Sequence, residues 1–90
     1  MNVIWTRSAR SDRFGILEYI AEYDRDAASR LNNRIREALG RLVNFPKLGK
    51  LGRVSGTREF VFHPNYIVVY RLEGDTLVVV NVLHAAQKYP

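Results

Sequence analysis

The side chains best suited to chemistry in this 90-residue chain are two histidines, His63 and His84, eleven arginines and a tyrosine near the end, Tyr89. An imidazole titrates near neutral pH and can act as acid or base. A guanidinium stays charged and grips a carboxylate or a phosphate through two parallel bonds. A base, an acid for the leaving oxygen and cations around the developing charge are what RNA cleavage by a 2′-hydroxyl requires. The chain has no cysteine, so a thiolate nucleophile, a disulfide and a thiolate metal site are all excluded. Neither metal nor cofactor is expected.

Positioning these groups falls to two helices and a small set of strands. Val3 to Trp5 reads as a first strand, and Thr6 or Ser8 can cap a helix over residues 7–23, with Phe14, Leu17 and Ala21 at helical spacing. Asp24 to Asp26 interrupts the pattern and supplies a second cap. Ala28, Leu31, Ile35, Ala38, Leu39 and Leu42 then recur at three- and four-residue steps, one face of a second helix. Arg30, Arg34, Glu37 and Arg41 lie opposite, most simply as a solvated face. Pro46 ends that helix, and the two helices form a hairpin. A basic connector follows, with Lys47, Lys50 and Arg53 among Gly49, Gly52 and Gly56. Its spacing fits neither a P-loop nor a dinucleotide fingerprint.

Three strands complete the chain: Glu59 to Phe62, Tyr66 to Leu72 and Leu77 to Leu83. Turn residues around Pro64 and Gly74 make both connections hairpins. The last two strands are almost wholly apolar, which implies cover on both faces. The helices can cover one, leaving the other partly open or covered by a partner. Trp5, Tyr66 and Tyr70 read as core.

Turn positions set a register. A turn centred between Pro64 and Asn65 places Arg58 opposite Arg71. Facing guanidiniums repel unless an anion lies between them, which makes this pair the leading candidate for contact with phosphate or carboxylate. The plainer alternative is a surface bridge to Glu59 or Glu73. The Gly74 turn sets His84 beside Pro64. Seven residues of strand, about 23 Å, separate it from Arg71, so the two do not share a small site. His84 also reads simply as a strand-end histidine with a ring nitrogen bonded to backbone, and His63 as exposed.

The net charge is +5 and the pI about 10.0. An Arg-rich surface suits an acidic protein, a nucleic acid or both. No apolar run approaches a membrane span. Charged residues follow Met1–Trp5 at once, unlike a signal peptide. A cytoplasmic protein without membrane partners is expected.

The order β-α-α-β-β-β resembles the RelE/ParE toxin superfamily of type II toxin–antitoxin systems, most closely its short ParE-type members. The resemblance rests on Gly56-Thr57-Arg58-Glu59, on His63-Pro64-Asn65-Tyr66-Ile67-Val68-Val69-Tyr70-Arg71, on Val82-Leu83-His84-Ala85-Ala86-Gln87, on Ala27 to Leu31, and on the closing Tyr89-Pro90. It implies an α+β fold with the helical hairpin on one face of a small, mainly antiparallel sheet, in a single domain spanning 1–90. It also implies a toxin neutralised by a cognate antitoxin, with operator DNA met only through that antitoxin.

RelE-like members cut mRNA on the ribosome, whereas ParE-like members inhibit DNA gyrase. Where the nucleases carry basic residues, this chain has Glu59, Val61, Ile67 and Ala86. A carboxylate and apolar side chains cannot steady a breaking phosphodiester. The reading is therefore a non-enzymatic ParE-like toxin, with Arg53, Arg58, Arg71, His84 and Tyr89 as contacts to target or antitoxin. The alternatives are an mRNA interferase with a divergent centre of His84, Tyr89 and Gln87, and a co-repressor without toxicity. Longer ParE proteins carry an Arg and an Asp soon after the histidine, where this chain has Ala86 and Lys88.

Overall fold

A computed structural model describes residues 1–90. The order is β1 (Asn2–Trp5), α1 (Arg7–Tyr23), α2 (Arg25–Asn44), β2 (Lys50–Leu51), β3 (Arg58–His63), β4 (Tyr66–Glu73) and β5 (Thr76–His84). The strands form one sheet ordered β1-β5-β4-β3-β2. Only the β1–β5 pair is parallel. The expected α+β class and mainly antiparallel sheet are both found. The basic connector contributes an unforeseen edge strand, β2, which pairs Lys50 with Glu59 and Leu51 with Arg58.

Local chemistry accounts for the helix ends. The Thr6 hydroxyl accepts the Ala9 amide at 3.1 Å and opens α1. Asp24 ends α1 through its amide and opens α2 by accepting the Ala27 amide at 3.0 Å. A single residue therefore separates the helices, tighter than the three-residue break expected. The α2 stripe is buried as the spacing predicts, at Ala28, Leu31, Ile35, Ala38 and Leu42.

The α1 face is different. Phe14 is 66% exposed, while Ala9 is buried and Ile16 packs on the core. This helix packs against both β5 and α2, so its contacts spread around the cylinder and no single stripe is core.

Val68, Tyr70, Leu77, Val79 and Val82 meet Ala9 and Leu42 in the main core under the helices. On the opposite face, Ile67, Val69 and Leu83 form a second cluster against which Tyr89 packs. The chain's own C-terminal segment thus covers part of the face that the helices leave open.

β1 pairs with β5 only as far as Val79. Beyond it, helix-side groups satisfy the edge. Thr6 Oγ1 donates to the Val80 carbonyl at 2.8 Å, and Asp12 Oδ2 accepts the Val82 amide at 3.0 Å. Unpaired backbone groups at such an edge would otherwise be costly.

Candidate functional site

Two β-bulges decide which side chains meet. At the β3–β4 turn His63 pairs with Tyr66, as a turn centred between Pro64 and Asn65 requires. The register then slips by one residue at Phe62, and Arg58 stands opposite Tyr70 rather than Arg71. A one-residue slip sends side chains to the other face. The expected pair of facing guanidiniums is therefore not formed.

Arg58 Nη1 donates to the Gly49 carbonyl at 2.7 Å, and Arg71 Nε donates to Glu73 Oε1 at 2.8 Å. The surface bridge held as the plainer alternative is what Arg71 makes. Both arginines line one shallow depression with Leu51 and Leu72, without facing each other across the strands.

The second bulge, with Val80 of β5 as the extra residue opposite Val69 and Tyr70, helps set His84 opposite Tyr66, two residues from the Pro64 position expected. His84 packs edge-on to the Tyr66 ring, with centroids 5.4 Å apart. Its Nδ1 accepts the Ala86 amide at 3.1 Å, and Gln87 Oε1 accepts the His84 amide at 3.2 Å. Tyr89 packs elsewhere, against Ile67, Val69 and Leu83. Successive side chains on a strand point to opposite faces, so Tyr66 with His84 and Ile67 with Tyr89 belong to different sides of β4. His84, Gln87 and Tyr89 are not gathered into one reaction centre.

The constellation that does form was not foreseen. Glu59 is 3% exposed on β3, between β4 and the edge strand β2. Its Oε2 accepts the Arg53 amide at 2.8 Å and Arg53 Nε at 3.1 Å, and its Oε1 accepts Arg53 Nη2 at 3.1 Å. These bonds hold the Glu59 carboxyl below its ordinary value, against the opposing effect of burial.

The Arg53 guanidinium also lies over the Tyr89 ring, 5.3 Å from its centroid. Burial, then the neighbouring Glu59 charge, raises the Tyr89 hydroxyl above its usual pKa. The signal in the sequence was a carboxylate at the strand position after Arg58, with an arginine six residues earlier to receive it.

This cluster lies beside an open concavity lined by Lys50, Arg53, Glu59, Ile67 and Ala85. Glu59 and Ile67 are two of the positions compared above with nuclease centres. The carboxylate is fully engaged, the arginine is spent on it, and Lys50 is the one cation there without an ion-pair partner. The arrangement offers an anion modest attraction and offers a reacting hydroxyl no free base.

A second unforeseen device sits across the sheet. The Tyr70 hydroxyl donates to the Pro46 carbonyl at 2.6 Å and accepts the Gly49 amide at 3.0 Å. It ties the connector onto β4. Burial is the main cause raising the Tyr70 pKa. A Cβ on Gly49 would lie 2.8 Å from this ring, so glycine is needed for close approach.

Two helices packed on a mixed, open five-stranded sheet define the RelE/ParE-like toxin fold. The P. aeruginosa chromosomal ParDE toxin–antitoxin system contains a chain that superposes with a TM-score of 0.81 at 20% identity, covering 93% of this chain and 95% of that one. A chain of the RelBE2 toxin–antitoxin complex of Mycobacterium tuberculosis superposes at 0.63 with 24% identity, covering 92% and 95%.

In sequence, residues 3–89 match the family described as ParE toxin of type II toxin–antitoxin system, parDE. The chain is 39% identical over 89 residues to the putative toxin Y4kP of Sinorhizobium fredii, covering 96% of this chain and 90% of the relative. It is 32% identical over 85 residues to the toxin RelE2 of Caulobacter vibrioides, covering 94% and 96%. The chain belongs to the ParE toxin family of type II toxin–antitoxin systems.

Proposed function

We propose that this toxin acts by binding, not by cutting RNA, and that a cognate antitoxin neutralises it in the cytoplasm. The single observation that carries the reading is the buried Glu59, bonded by Arg53 and flanked by Tyr89, where RNA-cleaving relatives would need a free cation. Acid–base chemistry needs groups with a proton to give or take within reach of a substrate. Here the carboxylate is closed off, and His84 is bonded to its own backbone turn on another side of β4.

DNA gyrase is the target the family resemblance favours, reached through a protein–protein surface. An antitoxin partner fits the strongly basic charge. The RelBE2 relative in the solved structures is itself a toxin–antitoxin complex.

The test has three arms. Inducing the chain by itself in bacteria should arrest growth, and co-expressing the product of the neighbouring gene should restore it. Purified gyrase should lose supercoiling activity and accumulate cleaved DNA when the protein is added. Primer extension on mRNA from translating ribosomes should show no new ends. Codon-positioned cuts that vanish in His84→Ala would establish an interferase instead, and an absence of growth arrest would leave the co-repressor reading.

A further inference from the structure

We propose that the concavity between β1 and the outer stripe of α1 is a binding site for a small aryl carboxylate, a flat aromatic ring carrying one carboxylate group. The hollow is about 330 Å³ and is lined by Trp5 from β1 and by Arg10, Arg13, Phe14 and Leu17 from α1. That volume lies at the lower end of small-molecule pockets and suits a ligand of one or two rings. Positions 10, 13, 14 and 17 follow three- and four-residue steps, so they share one face of the helix. Phe14 and Leu17 belong to the apolar stripe expected of α1, yet neither joins a core cluster. Their apolar surface faces the hollow instead.

The cations beside that surface lack a counter-charge. Arg13 Nε donates to Asn32 Oδ1 at 3.1 Å, and Arg13 Nη2 donates to the same oxygen. Its Nη1 makes no bond within the chain and is not shut away from solvent. The guanidinium lies over the Trp5 ring, 4.9 Å from its centroid. An amide from α2 and an indole from β1 thus fix a half-buried guanidinium at one wall of the hollow. Arg10, Arg13 and Arg36 belong to no ion pair. Burial, and then the Arg36 charge, lowers the Arg13 pKa from its ordinary value, as for a cation that has no anion beside it. Asp12, the adjacent acid, is turned to β5, where it accepts from Asn81 and from the Val82 amide.

The polar side-chain groups of the lining are two guanidiniums and one indole N–H. All are donors and none is an acceptor. The exocyclic amino groups of a nucleobase therefore find no side-chain partner here. A free aromatic amino acid would bring its ammonium group to two guanidiniums. An inorganic anion would leave Trp5, Phe14 and Leu17 uncovered, and a second copy of this chain would bring its own net charge of +5. An aryl carboxylate matches the whole lining: its ring covers the apolar walls, and its oxygens accept from Arg13 Nη1 and from the exposed Arg10. The inference does not depend on which target the toxin has.

Trp5 is the one tryptophan of the chain and reports on the site directly. The test is a titration of the ¹⁵N-labelled full chain with phenylacetate, read by Trp5 fluorescence and by the shift of its indole N–H. A saturable change is expected with Kd on the order of 1 mM, as suits a ligand of about ten heavy atoms on an open site. 2-Phenylethanol, which has the ring without the charge, should bind about tenfold more weakly, and phenethylamine more weakly still. Phe14→Ala and Arg13→Gln should each weaken phenylacetate binding by about five- to tenfold. Arg10→Gln alters only an exposed side chain and serves where loss of the Arg13–Asn32 bond disturbs packing. Affinity should fall about two- to threefold on raising salt from about 50 mM to about 300 mM, because screening weakens exposed charge pairs.

Equal binding of phenethylamine would overturn the proposal, as would a titration that does not saturate below about 50 mM. Equal binding of acetate would remove the ring from the recognition. A Kd unchanged in both Phe14→Ala and Arg10→Gln, or shifts that gather away from Trp5 and residues 10–17, would place any binding elsewhere. Tighter occupation of the same residues by adenosine monophosphate would overturn the assignment in favour of a nucleotide.

Discussion

Replacing Tyr70 by Phe isolates a single atom of the fold. The ring stays and the hydroxyl goes, and with it a bond to the Pro46 carbonyl and a bond from the Gly49 amide. Tyr70 has no exposed surface and Gly49 is buried, so water cannot replace the lost partner. Each bond contributes about 1 kcal/mol net, and leaving a buried amide unpaired raises the cost, giving about 2–3 kcal/mol in all.

For a chain of this length each kcal/mol moves Tm by about 4–8 °C. A loss of about 2 kcal/mol then lowers Tm by roughly 8–16 °C. Thermal unfolding followed by circular dichroism reads this directly. The reach of the change should be local first: the Gly49 carbonyl that accepts Arg58 hangs on the same clamp, so exchange of the β2 amides should quicken. Gly49→Ala attacks the same contact from the other side, and the two costs should combine less than additively. A Tm within about 2 °C of the parent would refute the reasoning, because no compensating partner for the Gly49 amide exists in the fold.

Two predictions concern pH. Arg53 holds the Glu59 carboxyl below 4.5, so the stabilisation from this pair is complete above 4.5 and is lost as pH falls through the folded-state value. Tm should drop on acidification in that range, and Glu59→Gln should flatten the profile; parallel profiles would mean the pair contributes nothing. Burial first, and then the Arg34 charge, lower the His63 pKa below 6.5. A lowered value favours the neutral ring in the fold, so this contribution is present above 6.5 and is lost as pH falls through the folded-state value. Histidine NMR should place the His63 midpoint below 6.5, and Arg34→Gln should move it partway back; an unmoved midpoint would remove Arg34 from its surroundings.

Much of the architecture was readable from residue order. The α2 stripe, the helix caps and the Pro64 and Gly74 turns all act locally, within a few residues; of the caps the pattern offered, the structure uses Thr6 rather than Ser8 for α1 and Asp24 for α2. The separation of His84 from Arg71 also followed, because a strand's length is set by its rise per residue. Less was readable of α1, whose packing against two neighbours blurs its periodicity. β2 was missed because two residues give no alternation to detect.

The candidate site was mostly hidden. Arg58 and Arg71 were placed opposite each other from a turn that was correctly located, and the bulge at Phe62 undid the pairing. Nothing in Phe62 itself announces a bulge.

What the amino-acid order determined by itself is the class of fold, the family and the excess of cationic side chains, since these depend on local periodicity, turn chemistry and composition. What only the folded sheet decided is which of those side chains meet: Arg53 with Glu59 and Tyr89, Arg58 with the connector, and Arg34 with the Phe62 carbonyl of β3. The physical reason is that strand register has a period of two residues, so one extra residue at a bulge carries a side chain from one face to the other without leaving a mark in the sequence.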